Sequence, residues 1–116
     1  MIDSSDQLQT LNPYVSRETI KKLSDYRDSI ISAKFNLVSQ KDKEHIWIRH
    51  FHDSLRLIKF FEKDEKKIKI LDIGSGAGLP GLPLSMVLDN DLFELVLCES
   101  NSKKANFIRD CCDQLD

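Results

Sequence analysis

A glycine cluster directly behind a short β-branched run constrains this chain more than any other feature. Ile68-Lys69-Ile70-Leu71-Asp72-Ile73 is mostly apolar and stops at Gly74-Ser75-Gly76-Ala77-Gly78, as a buried parallel strand does where it feeds a sharp loop. Leu82, Leu84, Met86, Val87 and Leu88 then predict a short helix, broken by Asp89-Asn90-Asp91. Leu92 to Glu99 is a second run of strand length, and Ser100-Asn101-Ser102 is a cap cluster for a last helix through Ala105, Phe107 and Ile108. Strand, helix, strand, helix in this order predicts a βαβ crossover, hence an α/β fold built on a parallel sheet. Two strands do not make a sheet that stands alone.

The chain before the first strand reads as helical. The polar residues up to Asn12-Pro13 predict a loose leader, because proline biases Asn12 away from helical geometry. From Ser16, an N-cap with Glu18 in the first turn, apolar residues recur at Ile20, Leu23, Tyr26, Ile30 and Ile31 and predict an amphipathic helix to about Phe35. A polar break at Ser39-Gln40-Lys41-Asp42 precedes a second helical pattern at Ile48, Phe51, Leu55 and Ile58, ending near Phe61. Glu62 to Lys67 mixes both signs of charge and reads as a solvated loop.

Composition closes off several function classes. At 116 residues, 41% hydrophobic and 31% charged, the chain is one small globular domain and neither disordered nor a disulfide scaffold. A net charge of -2 excludes a chain-wide electrostatic grip on nucleic acid, so any RNA contact must come from a local patch. Its apolar runs are too short to cross a bilayer, and the first residues lack the basic and apolar parts of a signal peptide, which makes the cytoplasm the expected address. Cys98, Cys111 and Cys112 lack metal-ligand spacing. They are expected to be reduced, buried or half-buried thiols, with no metal site.

The chemistry is concentrated at Asp72 to Gly78. Glycines at alternate positions let the backbone turn sharply and let a ligand reach main-chain atoms that a Cβ would shield. The loop follows the carboxyl end of a parallel strand, where open α/β sheets bind ligands. Glu99, twenty-five residues after Gly74, ends the second strand and could accept hydrogen bonds from two ribose hydroxyls. A phosphate-binding P-loop needs Gly-Lys-Ser/Thr where this chain has Gly78-Leu79-Pro80, and a dinucleotide fingerprint needs glycine where it has Leu79. S-adenosylmethionine, which calls for main-chain approach and not for a pyrophosphate cradle, is the remaining nucleotide ligand. Glycine-rich turns also occur in proteins that bind nothing there.

Asp72-Ile73-Gly74-Ser75-Gly76-Ala77-Gly78-Leu79-Pro80-Gly81-Leu82-Pro83-Leu84 resembles the first methyltransferase motif of the bacterial small-subunit rRNA guanine-N7 methyltransferases, the GidB or RsmG family. Asn36-Leu37-Val38-Ser39 is similar to that family's Asn-Leu-Thr-Ser segment, with Val38 in place of threonine. Arg49-His50-Phe51-His52-Asp53-Ser54-Leu55 is similar to its Arg-His-x-x-Asp-Ser-Leu segment, and Glu99-Ser100-x-x-Lys103-Lys104-x-x-Phe107 to its second-strand acid and following helix. The leader before Pro13 has no counterpart.

The resemblance implies a class I S-adenosylmethionine-dependent methyltransferase with a Rossmann-like, doubly wound sheet. Residues 1–66 would be an N-terminal helical extension and residues 67–116 the first βαβα of the cofactor domain. Family members are about twice this length, so the chain is expected to be an N-terminal portion, and later family contacts lie beyond Asp116. The implied reaction is methyl transfer to N7 of a guanine in 16S rRNA. The implied partner is that RNA or a small-subunit assembly particle, with a monomeric enzyme when complete. Asp72, Gly74, Gly76, Gly78, Leu79 and Glu99 are the candidate cofactor residues, Gly74 and Leu79 matching cofactor-contacting positions of the family. Asn36, Arg49, His50 and Asp53 are the candidate substrate residues. Because guanine N7 carries a free lone pair, no general base is required and no catalytic residue is assigned.

Alternatives stay open at this point. A nicotinamide-dependent Rossmann oxidoreductase uses the same strand-end acid, and a truncated fragment would bind nothing. Arg49 and Asp53 could form an ordinary i, i+4 ion pair with His50 beside them, and a helix-ending Asn36 is usually structural. His45 and His52 are expected on the surface, Trp47 and Phe51 in the core.

Overall fold

The computed structural model describes residues 2–61 and 66–115. Most of the expected solvated loop, Glu62 to Glu65, lies outside the described residues, while Lys66 and Lys67 are exposed.

Three helices open the chain: α1 (Ser5–Leu11), α2 (Arg17–Ser32) and α3 (Gln40–Lys43). The leader is therefore not loose. Ser4 Oγ accepts from Gln7 N as an N-cap, Leu8 is fully buried, and the Asp3 carboxylate accepts from Ile48 N at 2.9 Å, far along the sequence. Polar composition concealed this, because a single buried leucine carries the packing. Ser16 caps α2 as expected, and Leu23, Tyr26 and Ile30 form its buried stripe. Ile31 lies one residue off that stripe and is 37% exposed, and the helix stops at Ser32, short of Phe35. The polar break at 39–42 holds α3, whose N-cap is Ser39.

Ile46–His52 is a π-helical stretch, followed by one α-helical turn, α4 (Asp53–Leu55), and a 3-10 turn over Arg56–Phe60. The wider π turn moves the buried set to Ile46, Trp47, Phe51 and Leu55, leaving Ile48 and Ile58 half-buried. Trp47 and Phe51 are core residues, as expected.

β1 (Ile68–Ile73) and β2 (Phe93–Cys98) pair in parallel from Ile68 opposite Phe93 to Ile73 opposite Cys98, joined by α5 (Gly81–Val87) and followed by α6 (Ser102–Leu115). β1 is less buried than its composition suggests: burial alternates along it between half-buried and exposed, and Leu71 is 54% and Ile73 77% exposed. Leu82, Ile108 and Cys111 share one core with Leu8, Leu23, Tyr26, Ile30 and Phe51, so the helical segment and the opening of the sheet are packed as one body. Burying one such leucine or phenylalanine is worth roughly 1.5–3 kcal/mol.

Candidate functional site

The glycine loop bridges the end of β1 and the start of α5. Gly74, Gly76 and Gly78 all have positive φ, at 75°, 58° and 99°. At Gly76 a Cβ would stand in open space with nothing within 4 Å, whereas at Gly78 it would meet Leu82 Cδ1 at 2.5 Å and Tyr26 Oη at 3.0 Å. One face of the loop is thus bare main chain and the other is packed against α2 and α5. Gly74 N and Ser75 N donate to Cys98 O at 2.8 and 3.1 Å, which fastens the loop to the end of β2.

Both candidate acids brace this turn. Glu99 Oε1 accepts from Gly76 N at 2.7 Å and Oε2 from Asn101 N at 2.9 Å. The amides of Asn101 and Gly76 stabilise its charged form and hold its carboxyl below the ordinary carboxylate range. A carboxylate has roughly four lone-pair sites, so Glu99 keeps acceptor capacity for a ligand hydroxyl. Asp72 Oδ2 accepts from Gly81 N at 3.0 Å, which makes Asp72 a brace within the turn.

The candidate substrate residues are brought together in part. Arg49, His50 and Asp53 line a shallow, open cleft of about 240 Å³ together with Leu79 and Pro80. The ordinary Arg49 to Asp53 ion pair is not the arrangement found. Arg49 Nη1 lies 3.5 Å from Asp42 Oδ1, and Asp53 Oδ1 lies 3.5 Å from Arg56 Nη1. Residues four apart no longer stack where the turn is π-helical. His50 Nε2 lies 3.5 Å from Asp42 Oδ2, too far for a well-formed hydrogen bond. The Ser39 hydroxyl first, then His50 and Arg49, hold the Asp42 carboxyl below its ordinary value. Asn36 is exposed and does not line the cleft.

Sequence reasoning missed Tyr26, Ser75, Asp3 and Asn12. Tyr26 is fully buried and its hydroxyl donates to Ala77 O at 2.6 Å. The signal was a tyrosine on a buried stripe, since a buried phenol needs an acceptor. Ser75 Oγ donates to Asp72 O at 3.1 Å. His45 and His52 are half-buried, not surface residues, and His52 Nδ1 is 3.0 Å from Nδ2 of buried Asn12.

Cys98 is exposed, against expectation, because it ends β2; Cys111 is buried and Cys112 half-buried. Burial pushes the Cys111 thiol up to about 12. Among the described residues no group of three or more His, Cys, Asp or Glu side chains could hold a metal ion, and no helix is long and apolar enough to cross a membrane.

The family model for GidB, described as rRNA small subunit methyltransferase G, matches residues 19–116. Among curated proteins, the chain is 41% identical over 85 residues to "Ribosomal RNA small subunit methyltransferase G" of Oenococcus oeni, covering 73% of this chain and 34% of that protein. It is 38% identical over 98 residues to the protein of the same name from Gluconobacter oxydans, covering 83% and 48%. With that from Sorangium cellulosum it shares 33% over 106 residues, covering 90% and 44%. The chain thus spans between a third and a half of these relatives.

Proposed function

The chain belongs to the GidB family of rRNA small subunit methyltransferases, and from that premise we propose that its full-length protein methylates N7 of a guanine in 16S rRNA with S-adenosylmethionine as donor. The observation that carries this reading is the bare glycine loop at the carboxyl end of β1, held by Glu99 from the end of the adjacent parallel strand.

The residues fit the cofactor. Cβ atoms at Gly74 and Gly76 would project into open space, so a ligand can lie against main chain there. Gly74, Gly76, Gly78 and Leu79 would hold it through the loop and Glu99 through ribose hydroxyls, while Asp72 acts on the loop's shape. When bound, the cofactor supplies an electrophilic methyl group on sulfur. Arg49, His50 and Asp53, lining the cleft with Leu79 and Pro80, orient the base. Guanine N7 would take the methyl with its own lone pair as the S–CH3 bond breaks and the neutral thioether leaves, so these residues would align the base and need remove no proton. Within these 116 residues, whose net charge is -2, contact with RNA rests on local cations such as Arg49. The substrate is 16S rRNA or a small-subunit assembly particle, the enzyme a monomer in the cytoplasm. Residues 1–66 form the extension that lines the substrate side, and residues 67–116 open the cofactor domain.

Incubating the full-length protein with methyl-labelled S-adenosylmethionine and unmethylated small subunits tests this directly. Label at a guanine N7 of 16S rRNA is expected. Binding of a nicotinamide cofactor in preference, or no label in small-subunit rRNA, overturns it.

A further inference from the structure

We propose that Tyr26 is a positioning residue for the cofactor loop, acting through its hydroxyl on Ala77; the inference rests on the methyltransferase reading. Tyr26 belongs to the helical extension, yet its hydroxyl donates to Ala77 O, 51 residues away, at 2.6 Å. Ala77 lies between Gly76, whose amide Glu99 holds, and Gly78, whose amide donates to Ser75 O at 2.9 Å. The peptides of 76–78 are therefore gripped from two sides, by β2 and by α2.

A second observation agrees with this. A Cβ on Gly78 would lie 3.0 Å from Tyr26 Oη, so the glycine permits the close approach that the hydroxyl needs. The ring is itself fixed: it stacks on Phe51 with centroids 5.4 Å apart and planes 15° apart, and Phe51 meets Trp47 edge-on at 5.3 Å. Phe51 sits in the π-helical stretch between His50 and His52, beside the cleft residues Arg49, His50 and Asp53. Tyr26 thus sets the loop at a fixed height relative to those residues. Burial pushes the phenol above its ordinary value, so at neutral pH it is an O–H donor.

The test compares Tyr26→Phe with Leu23→Val, a substitution at a fully buried residue one turn away on the same helix, in the full-length protein. Amide hydrogen exchange across 74–79, affinity for S-adenosylhomocysteine and melting temperature are read for each. Tyr26→Phe is expected to speed exchange in 74–79 and to weaken ligand affinity about two- to tenfold, within what the one buried hydrogen bond it removes can be worth. The KM for S-adenosylmethionine should rise with it, with the KM for RNA little changed. Leu23→Val should lower the melting temperature and leave loop exchange and affinity within about twofold. Tyr26→Phe with wild-type exchange and affinity, or Leu23→Val weakening affinity equally, overturns the proposal. Wild-type protein that binds no cofactor overturns the methyltransferase reading as well, which separates the two failures.

Discussion

Glu99, at the end of β2, accepts a 2.7 Å hydrogen bond from the amide of Gly76, in the loop that leaves β1. The same carboxylate accepts from Asn101 N at 2.9 Å, in the cluster that opens α6. One side chain therefore ties together the loop, the neighbouring strand and the next helix. Strand pairing places it there, because Ile73 lies opposite Cys98 in the parallel register.

Gly76→Val in the full-length protein is expected to abolish S-adenosylmethionine binding and leave the helical extension folded. At φ 58° an L side chain costs about 1–2 kcal/mol, and the valine would occupy the open face of the loop, where no protein atom lies within 4 Å. Gly78→Ala should lose more stability, by roughly 1–3 kcal/mol, because its Cβ would collide with Leu82 as well. Calorimetric titration beside thermal melting distinguishes the two; a Gly76→Val variant that binds as the parent does removes the loop as the site.

Glu99→Gln should weaken cofactor affinity moderately, on the order of tenfold, and not eliminate it. The amide nitrogen would face a backbone N–H or a ribose hydroxyl, and only the latter can reorient. Titration of S-adenosylmethionine against both forms, with their melting temperatures compared first, measures the loss. Unchanged affinity at unchanged stability takes Glu99 out of the site.

The same substitution makes a pH prediction. The folded-state pKa of Glu99 is lowered, by the amides of Asn101 and Gly76. Its stabilising effect is therefore fully present above the ordinary carboxylate range and is lost as pH falls through the folded pKa. The melting-temperature gap between wild type and Glu99→Gln should be widest near neutrality and close on acidification. A gap that widens in acid contradicts the assignment.

Arg49→Ala and Asp53→Asn should raise the KM for rRNA several-fold and leave cofactor affinity unchanged. Their side chains are 47% and 60% exposed, so stability should move by no more than about 0.5 kcal/mol. Steady-state methylation of small subunits with each substrate varied in turn is the measurement. If both variants keep the wild-type KM for RNA, the cleft beside Leu79 and Pro80 is not where the base is oriented.

Local chemistry was legible wherever a residue's own dihedral or period decides the outcome. All four glycines of the chain fall within 74–81, and the run before them is the observed β1 with the expected bounds. Ser16 opens α2 because a hydroxyl at that point satisfies an orphan amide, whatever the helix packs against. The π-helical stretch was not legible. Ile48, Phe51, Leu55 and Ile58 fit an α-helical period, whereas in the fold Phe51 stacks on Tyr26 and meets Trp47, and the Asp3 carboxylate accepts from the amides of Trp47 and Ile48.

By itself, then, the sequence determined the order of the elements, the glycine turn and the acid that follows it, since positive φ, alternation and capping are properties of short segments. Tertiary structure alone decided which distant segments meet. Asp3 reaches Ile48 across 45 residues, Asn12 reaches His52 across 40 and Tyr26 reaches Ala77 across 51. Such contacts arise when a shared core brings distant segments within hydrogen-bonding range, and each buried polar group must then find its partner among whatever the packing has placed beside it.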